Sequence, residues 1–300
     1  MRFSKLQSCG NDYIYINNII EKVSGTEKSE LAVCLSNRHF GIGGDGLIFI
    51  ESSEKADFTM EMYNSDGTPA EICGNGIRCM GKYLFDKKMI AGKNITIESG
   101  GKIYSLELHL AGEFVISIRV DMGAPELTAK KIPVISKNAW CTHESIDIGG
   151  EEFKMTCVSM GNPHAVVVYP DLANLDIRHY GPLFEHHERF PQRTNVEFIE
   201  IIDRKTVRMR VWERGSGETL ACGSGCCAVL VACVLNSLTD NEIVIHLPGG
   251  EAIVFWDREA KKIYLTGSAV TVFSGEITRQ SIHIAEQMLK HINVTITAAL

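Results

Sequence analysis

Two cysteines head the same short pattern in this chain: Glu71-Ile72-Cys73-Gly74-Asn75-Gly76 and Leu220-Ala221-Cys222-Gly223-Ser224-Gly225. Each pattern leads into a segment that reads as helix. A thiol at a helix start lies in the positive end of the aligned peptide dipoles, which favours thiolate over thiol. The neighbouring N–H groups lack acceptors within the helix and can hold a carboxylate. Two such devices suggest a pair of thiols facing one carboxylate-bearing substrate.

The elements that must position them are also duplicated. Cys73 and Cys222 are 149 residues apart (222 − 73), and the same offset matches Phe58-Thr59-Met60-Glu61-Met62-Tyr63 to Val207-Arg208-Met209-Arg210-Val211-Trp212. Both stretches alternate apolar and polar residues and end on an aromatic, the pattern of a half-buried strand. Asn64 then falls opposite Glu213. Upstream, Gly10-Asn11-Asp12 recurs as Gly161-Asn162-Pro163 at an offset of 151 (161 − 10). A period this long means two similar domains and not a solenoid. Strands dominate the reading, with helices over Ser29 to His39, Gly76 to Lys87 and Gly225 to Asn236. The last of these carries no charge between Gly225 and Leu235, so it is expected to be buried on every side. Strands over Glu242 to Leu247, Ala252 to Trp256 and Lys262 to Thr266 are available to wrap it.

Composition agrees with an ordinary globular chain. At 300 residues, 45% hydrophobic and 22% charged, it fits two domains of about 150 residues each. Met1-Arg2-Phe3-Ser4-Lys5-Leu6-Gln7 lacks the apolar core of a signal peptide, and no apolar run is long enough to span a bilayer. The ten cysteines are therefore expected as thiols in a reducing cytoplasm. A net charge of −7 without a basic cluster argues against nucleic acid or an anionic membrane as partner.

Rival chemistries fit less well. Cys9, Cys34, Cys79, Cys141, Cys157, Cys226, Cys227 and Cys233 show no Cys-x-x-Cys spacing and read as small buried apolar side chains. That spacing gives no metal site, and a dithiol redox pair would not be split by 149 residues. No Gly-Lys-Ser/Thr follows Ala221 to Gly225, which weakens the phosphate-loop reading; the turn can bind an anion, and a carboxylate suits it as well as a phosphate does.

Taken together and in chain order, Gly10-Asn11-Asp12, Tyr63-Asn64-Ser65-Asp66-Gly67, Cys73-Gly74-Asn75-Gly76-Ile77-Arg78-Cys79, Gly161-Asn162-Pro163-His164, Arg193-Thr194-Asn195, Glu213-Arg214-Gly215 and Ala221-Cys222-Gly223-Ser224-Gly225 resemble the diaminopimelate epimerase family. The match runs from Met1 to about Ile277. The resemblance implies an isomerase that needs no pyridoxal phosphate or other cofactor and no metal. It would interconvert L,L- and meso-diaminopimelate for lysine and peptidoglycan synthesis, as a cytoplasmic homodimer. The expected fold is α/β (α+β) with two pseudo-symmetric domains, each a curved, mostly antiparallel sheet or barrel around a central helix, with the active site in the cleft between them. The expected boundaries are 1–122 (with a strand near 268–277 returning to that domain), 123–267, and a C-terminal extension over 278–300 in which Ile282 to Ile292 has a helical apolar pattern.

Inversion of an α-carbon without a cofactor needs a base on one face and an acid on the other. The resemblance assigns these roles to Cys73 and Cys222, one as thiolate and the other as thiol, exchanging roles in the reverse direction. A free thiol titrates near about 8.5, and a helix start is expected to bring that toward neutrality. His164 and Glu213 take positions that tune the thiols. Substrate-binding roles fall on Asn11, Asn64, Asn162, Asn195, Glu213 and Arg214, the last gripping the distal carboxylate. The N–H groups of Gly74, Asn75, Gly223 and Ser224 would stabilise charge building on the reacting carboxylate. One departure stands out: Gly46 replaces the family's usual Gln, and by the 149 offset it is the counterpart of Asn195. A related pyridoxal-independent racemase of another amino acid, such as histidine, is the alternative this leaves open.

Overall fold

The computed structural model describes residues 1–70 and 74–298, with side chains described through 289. Cys73, one of the two expected catalytic thiols, lies outside the described residues together with Glu71 and Ile72. The chain divides into two compact units, Met1–Ile118 with Ala269–Leu300, and Arg119–Ser268.

The first unit is built from β1 (Arg2–Ser8), β2 (Asn11–Asn17), α1 (Asn18–Glu21), α2 (Gly25–Ser36), β3 (Gly46–Ser52), β4 (Phe58–Asn64), β5 (Pro69–Ala70), α3 (Gly74–Asp86), β6 (Asn94–Ser99), β7 (Lys102–Ala111) and the start of β8 (Phe114–Gly123). The second follows with β9 (Glu144–Ile148), β10 (Glu151–Ser159), β11 (Pro163–Val168), α4 (Ile177–Glu185), β12 (Asn195–Asp203), β13 (Thr206–Glu213), β14 (Gly217–Thr219), α5 (Gly223–Leu235), β15 (Glu242–Leu247), β16 (Gly250–Asp257) and β17 (Lys262–Gly267). The chain then adds β18 (Val270–Glu276) and α6 (Arg279–Ala298) to the first unit.

Strand pairing is the same in both units. In the first, β1 and β2 are antiparallel, β2 runs parallel to β3, β3 is antiparallel to β4, β4 carries the short β5 and runs parallel to β6, and β6 is antiparallel to β7. In the second, β10, β11, β12, β13, β14, β15 and β16 repeat that series in the same order and senses. An extra antiparallel strand flanks each set: β18 beside β1, and β9 beside β10. In each unit a long helix follows the short hairpin strand, α3 after β5 and α5 after β14, and their starts are again 149 residues apart (223 − 74).

Hydrophobicity explains the central position of α5. Cys226 to Cys233 are at most 2% exposed. They pack against Val158 of β10, Val166 of β11, Ile199 of β12, Val207, Met209 and Val211 of β13, Ile245 of β15, Val254 of β16 and Leu265 of β17. Each Leu, Val or Met so buried contributes about 1.5–3 kcal/mol. A helix with no polar face is stable where it is buried on every side. Burial also pushes the Cys233 thiol up to about 12, so it is an inert packing group. In the first unit α3 packs close enough for Gly81 to face Leu106, Ile95 and Ile118.

A second layer covers the other sheet faces. Leu31, Ala32 and Leu35 of α2 lie on Ile14, Ile16, Leu47 and Phe49, and Ile282 and Ala285 of α6 join the same cluster. The C-terminal helix therefore docks on α2 through its first turns. In the second unit Phe184 of α4 packs edge-on against Phe153 and Phe198, with ring centroids 5.5 Å apart in both pairs.

Candidate active site

Both helices start two residues earlier than the sequence pattern suggests. The Gly-x-Gly of each motif is therefore not a turn leading into a helix but the first helical turn itself. Cys222 is the residue before α5, in extended conformation (φ −127°, ψ 113°), and its carbonyl accepts the Cys226 N–H at 3.0 Å. Its side chain is 5% exposed, and Sγ lies 3.5 Å from Ser224 Oγ. The hairpin of β13 and β14 brings Glu213 alongside, where Thr219 Oγ1 donates to Glu213 Oε1.

The electrostatics of Cys222 differ from those of an exposed helix-start thiol. Burial pushes its titration well above the ordinary thiol range, and the carboxylates of Glu213 and Glu197 push it further. The Ser224 hydroxyl and the Gly225 N–H act in the opposite direction and do not win. The expectation of a pKa drawn toward neutrality is thus corrected for Cys222. The helix dipole is a modest effect of about 0.3–1 kcal/mol, whereas desolvation of a thiolate beside two acids is larger. Without a ligand, Cys222 is a thiol. Glu213 in turn is raised by burial, partly offset by hydrogen bonds from Thr219 and Cys222.

Behind this pair lies a buried His164–Glu197 contact whose acid, Glu197, sequence reasoning missed. His164 is the second residue of β11 and lies beside Asn195 of β12 in parallel register. Its Nδ1 is 2.6 Å from Glu197 Oε1 and its Nε2 is 3.0 Å from Asn162 Oδ1. His164 and Glu197 are both 0% exposed, and Glu197 Oε2 is buried without a partner. A Cβ at Gly225 would stand 2.7 Å from Glu197 Oε1, so glycine is required for this carboxylate to reach the start of α5. The signal was present in the sequence as one acid inside the apolar run Val196-Glu197-Phe198-Ile199.

The remaining polar residues of the second unit are braced by one another. Asn195 is 3% exposed; its Oδ1 accepts the Arg214 N–H at 2.8 Å and its Nδ2 donates to Pro163 O at 2.8 Å. It therefore holds the Arg214 turn. Arg214 is exposed, with Nη1 donating to Gln192 O at 3.1 Å. Gly223 and Ser224 supply first-turn N–H groups of α5, as expected from their place in the motif.

In the first unit Asn11, Asn64, Gly74 and Asn75 occupy strand and helix ends. Asn11 opens β2 and its Oδ1 accepts from Asn75 Nδ2 at 2.9 Å. Asn64 closes β4 and donates from Nδ2 to Thr68 Oγ1 at 3.0 Å. Gly74 and Asn75 are the first residues of α3. Gly46 pairs with Asn64 across β3 and β4, and a Cβ there would meet Tyr63 O at 2.3 Å. The departure from Gln thus coincides with a close strand approach that only glycine fits.

Among the described residues, no group of three or more His, Cys, Asp or Glu is placed to hold a metal ion, and no helix is long and apolar enough to cross a membrane.

The fold is one seen in solved structures of low sequence identity. A probable proline racemase from Agrobacterium radiobacter aligns with a TM-score of 0.69 at 13% identity, covering 93% of each chain. The diaminopimelate epimerase family model matches residues 3–128 and 156–272. The diaminopimelate epimerase of Agathobacter rectalis is 49% identical over 284 residues, covering 92% of this chain and 99% of the relative. That of Acetivibrio thermocellus is 50% identical over 277 residues, covering 92% and 98%. The class is therefore an isomerase that epimerises an amino-acid centre. Within it, this chain belongs to the diaminopimelate epimerase family.

Proposed function

We propose that the chain interconverts L,L- and meso-diaminopimelate by cofactor-independent proton transfer between Cys73 and Cys222, in lysine and peptidoglycan-precursor synthesis. The observation that carries the reading is Cys222. It is a buried thiol at the start of α5, held protonated by burial and by the nearby Glu213 and Glu197 carboxyls, and beside the first-turn N–H groups of Gly223 and Ser224. This is the protonated member that a two-base inversion requires. Cys73 would supply the thiolate that takes the α-proton, while Cys222 delivers its own proton to the opposite face. The proton then on Cys73 and the thiolate left on Cys222 form the state that runs the reverse direction, in which the two cysteines exchange roles.

Charge that builds on the substrate carboxylate would meet the N–H groups of Gly223 and Ser224, and those of Gly74 and Asn75. Asn11, Asn64, Asn162 and Asn195 would bind the amino-acid head groups, with His164 and Glu213 adjusting the thiols and Arg214 taking the distal carboxylate. The domains would be epimerase halves spanning 1–122 with the returning strand, and 123–267, acting in a cytoplasmic homodimer. The test is to assay purified protein on L,L-diaminopimelate beside a panel of L-amino acids that includes histidine, with no pyridoxal phosphate added. Selective turnover of diaminopimelate supports the reading; turnover of histidine or another monoamino acid alone would replace it. Light scattering in solution checks the dimer.

A further inference from the structure

Arg78 lies on α3 one turn beyond Asn75 and is 1% exposed. Its Nη2 donates to Asn75 Oδ1 at 2.5 Å and to Ser8 Oγ at 2.8 Å, and its Nη1 donates to Gly74 O at 3.3 Å. All three acceptors are neutral, and Nε is buried without a partner. A guanidinium is costly to bury against neutral groups. Local physics argues against arginine here, and such violations concentrate where function needs them.

The chemistry of the contacts shows what is gained. Arginine can only donate, so Asn75 must turn its oxygen toward Arg78. The Asn75 nitrogen is thereby aimed at Asn11, which must answer with its own oxygen, as observed at 2.9 Å. Both amides lose the freedom to flip, and Asn11 is left presenting Nδ2 donors, which suit a carboxylate. We propose that Arg78 is a positioning residue for the reaction: through Asn75 it fixes the amide orientation of Asn11, so that both present a set pattern to the substrate's amino-acid head group. This rests on the reading of Asn11 and Asn75 as substrate-binding residues.

A double-mutant cycle in kcat/KM tests it, with Arg78→Met, Asn75→Ala and the double variant assayed on diaminopimelate and Asn11→Ala as a reference. Asn11→Ala and Asn75→Ala should each lose at least about tenfold, and Arg78→Met about 10–100-fold, mostly as a rise in KM. In the Asn75→Ala background, Arg78→Met should cost less than about threefold, because the amide it acts through is gone. Arg78→Lys keeps the charge and one donor, should recover part of the loss, and replaces Arg78→Met in the cycle if that variant does not fold. Equal factors in both backgrounds, or a loss that follows melting temperature and not KM, would overturn the proposal while leaving the site intact. Wild-type kcat/KM in both Asn11→Ala and Asn75→Ala would instead remove the substrate-site reading itself.

Discussion

At the scale of single residues, Cys222 and Glu213 are set against each other by burial. Both are pushed toward their protonated forms; contact with Cys222 and Thr219 partly relieves Glu213, whereas the Glu213 and Glu197 carboxylates push Cys222 further up. For Glu213 this has a stability consequence. A carboxyl whose folded pKa is raised binds more protons folded than unfolded. Its contribution is fully present below the ordinary carboxylate range and is lost as pH rises through the folded pKa. Glu213→Gln should therefore gain stability over wild type as pH rises from about 4 to about 7, while losing most activity. Urea melts of both proteins across that range measure the difference, and parallel curves would show that Glu213 is not under strain. Arg214 belongs to the same scale. Its guanidinium is exposed and held by Gln192 O alone among the described contacts, so it is available to a ligand. Arg214→Leu should cost about 2–5 kcal/mol in kcat/KM, the range for an interfacial charge pair left with one partner. An unchanged kcat/KM would exclude contact with the distal carboxylate.

At the scale of elements, close approaches decide which residues are allowed. Gly46 lets β3 lie against β4 at Tyr63 O, and Gly46→Gln should destabilise the protein by about 1–3 kcal/mol without improving KM, because the added side chain forces strand backbone to move. Thermal melts with steady-state assays check both halves of that statement. The helix α5, the strands β13 and β15 and the duplicated order of elements were legible in the sequence, because α5 has no polar face and the strands alternate cleanly. The helix α4 was not. Gly181 and Pro182 sit inside it, and propensity alone disfavours helix there. It forms because Phe184 is buried on Phe153 and Phe198, a tertiary effect no local pattern carries. The start of α2 was written as a capping box, Ser24 with Glu27, but was read four residues late because Gly25 follows the cap. Glu197 and Arg78 escaped for a related reason: burial of a charge depends on partners from distant strands, and spacing along the chain does not show them.

At the scale of the whole molecule, duplication supplies two topologically matched units with different chemistry at the same place. The counterpart of Arg78 at the 149 offset is Cys227, a core thiol, whereas the second unit buries the acids Glu197 and Glu213 near its cysteine. One unit thus buries a guanidinium near its helix start, and the other places two carboxyl groups there. The central claim is that two different thiols move the proton, and Cys73→Ala and Cys222→Ala should each reduce kcat by about 10²–10⁴-fold or more. The most direct measurement is to start from L,L-diaminopimelate in deuterated water and stop below about a tenth of full conversion, a range in which reverse flux is small. Two-thiol transfer predicts meso product carrying solvent deuterium at the inverted α-carbon, with little deuterium in the recovered L,L-isomer. Product that keeps protium at that carbon, or equal deuterium in both isomers from the outset, would mean that one group serves both faces and would contradict the account.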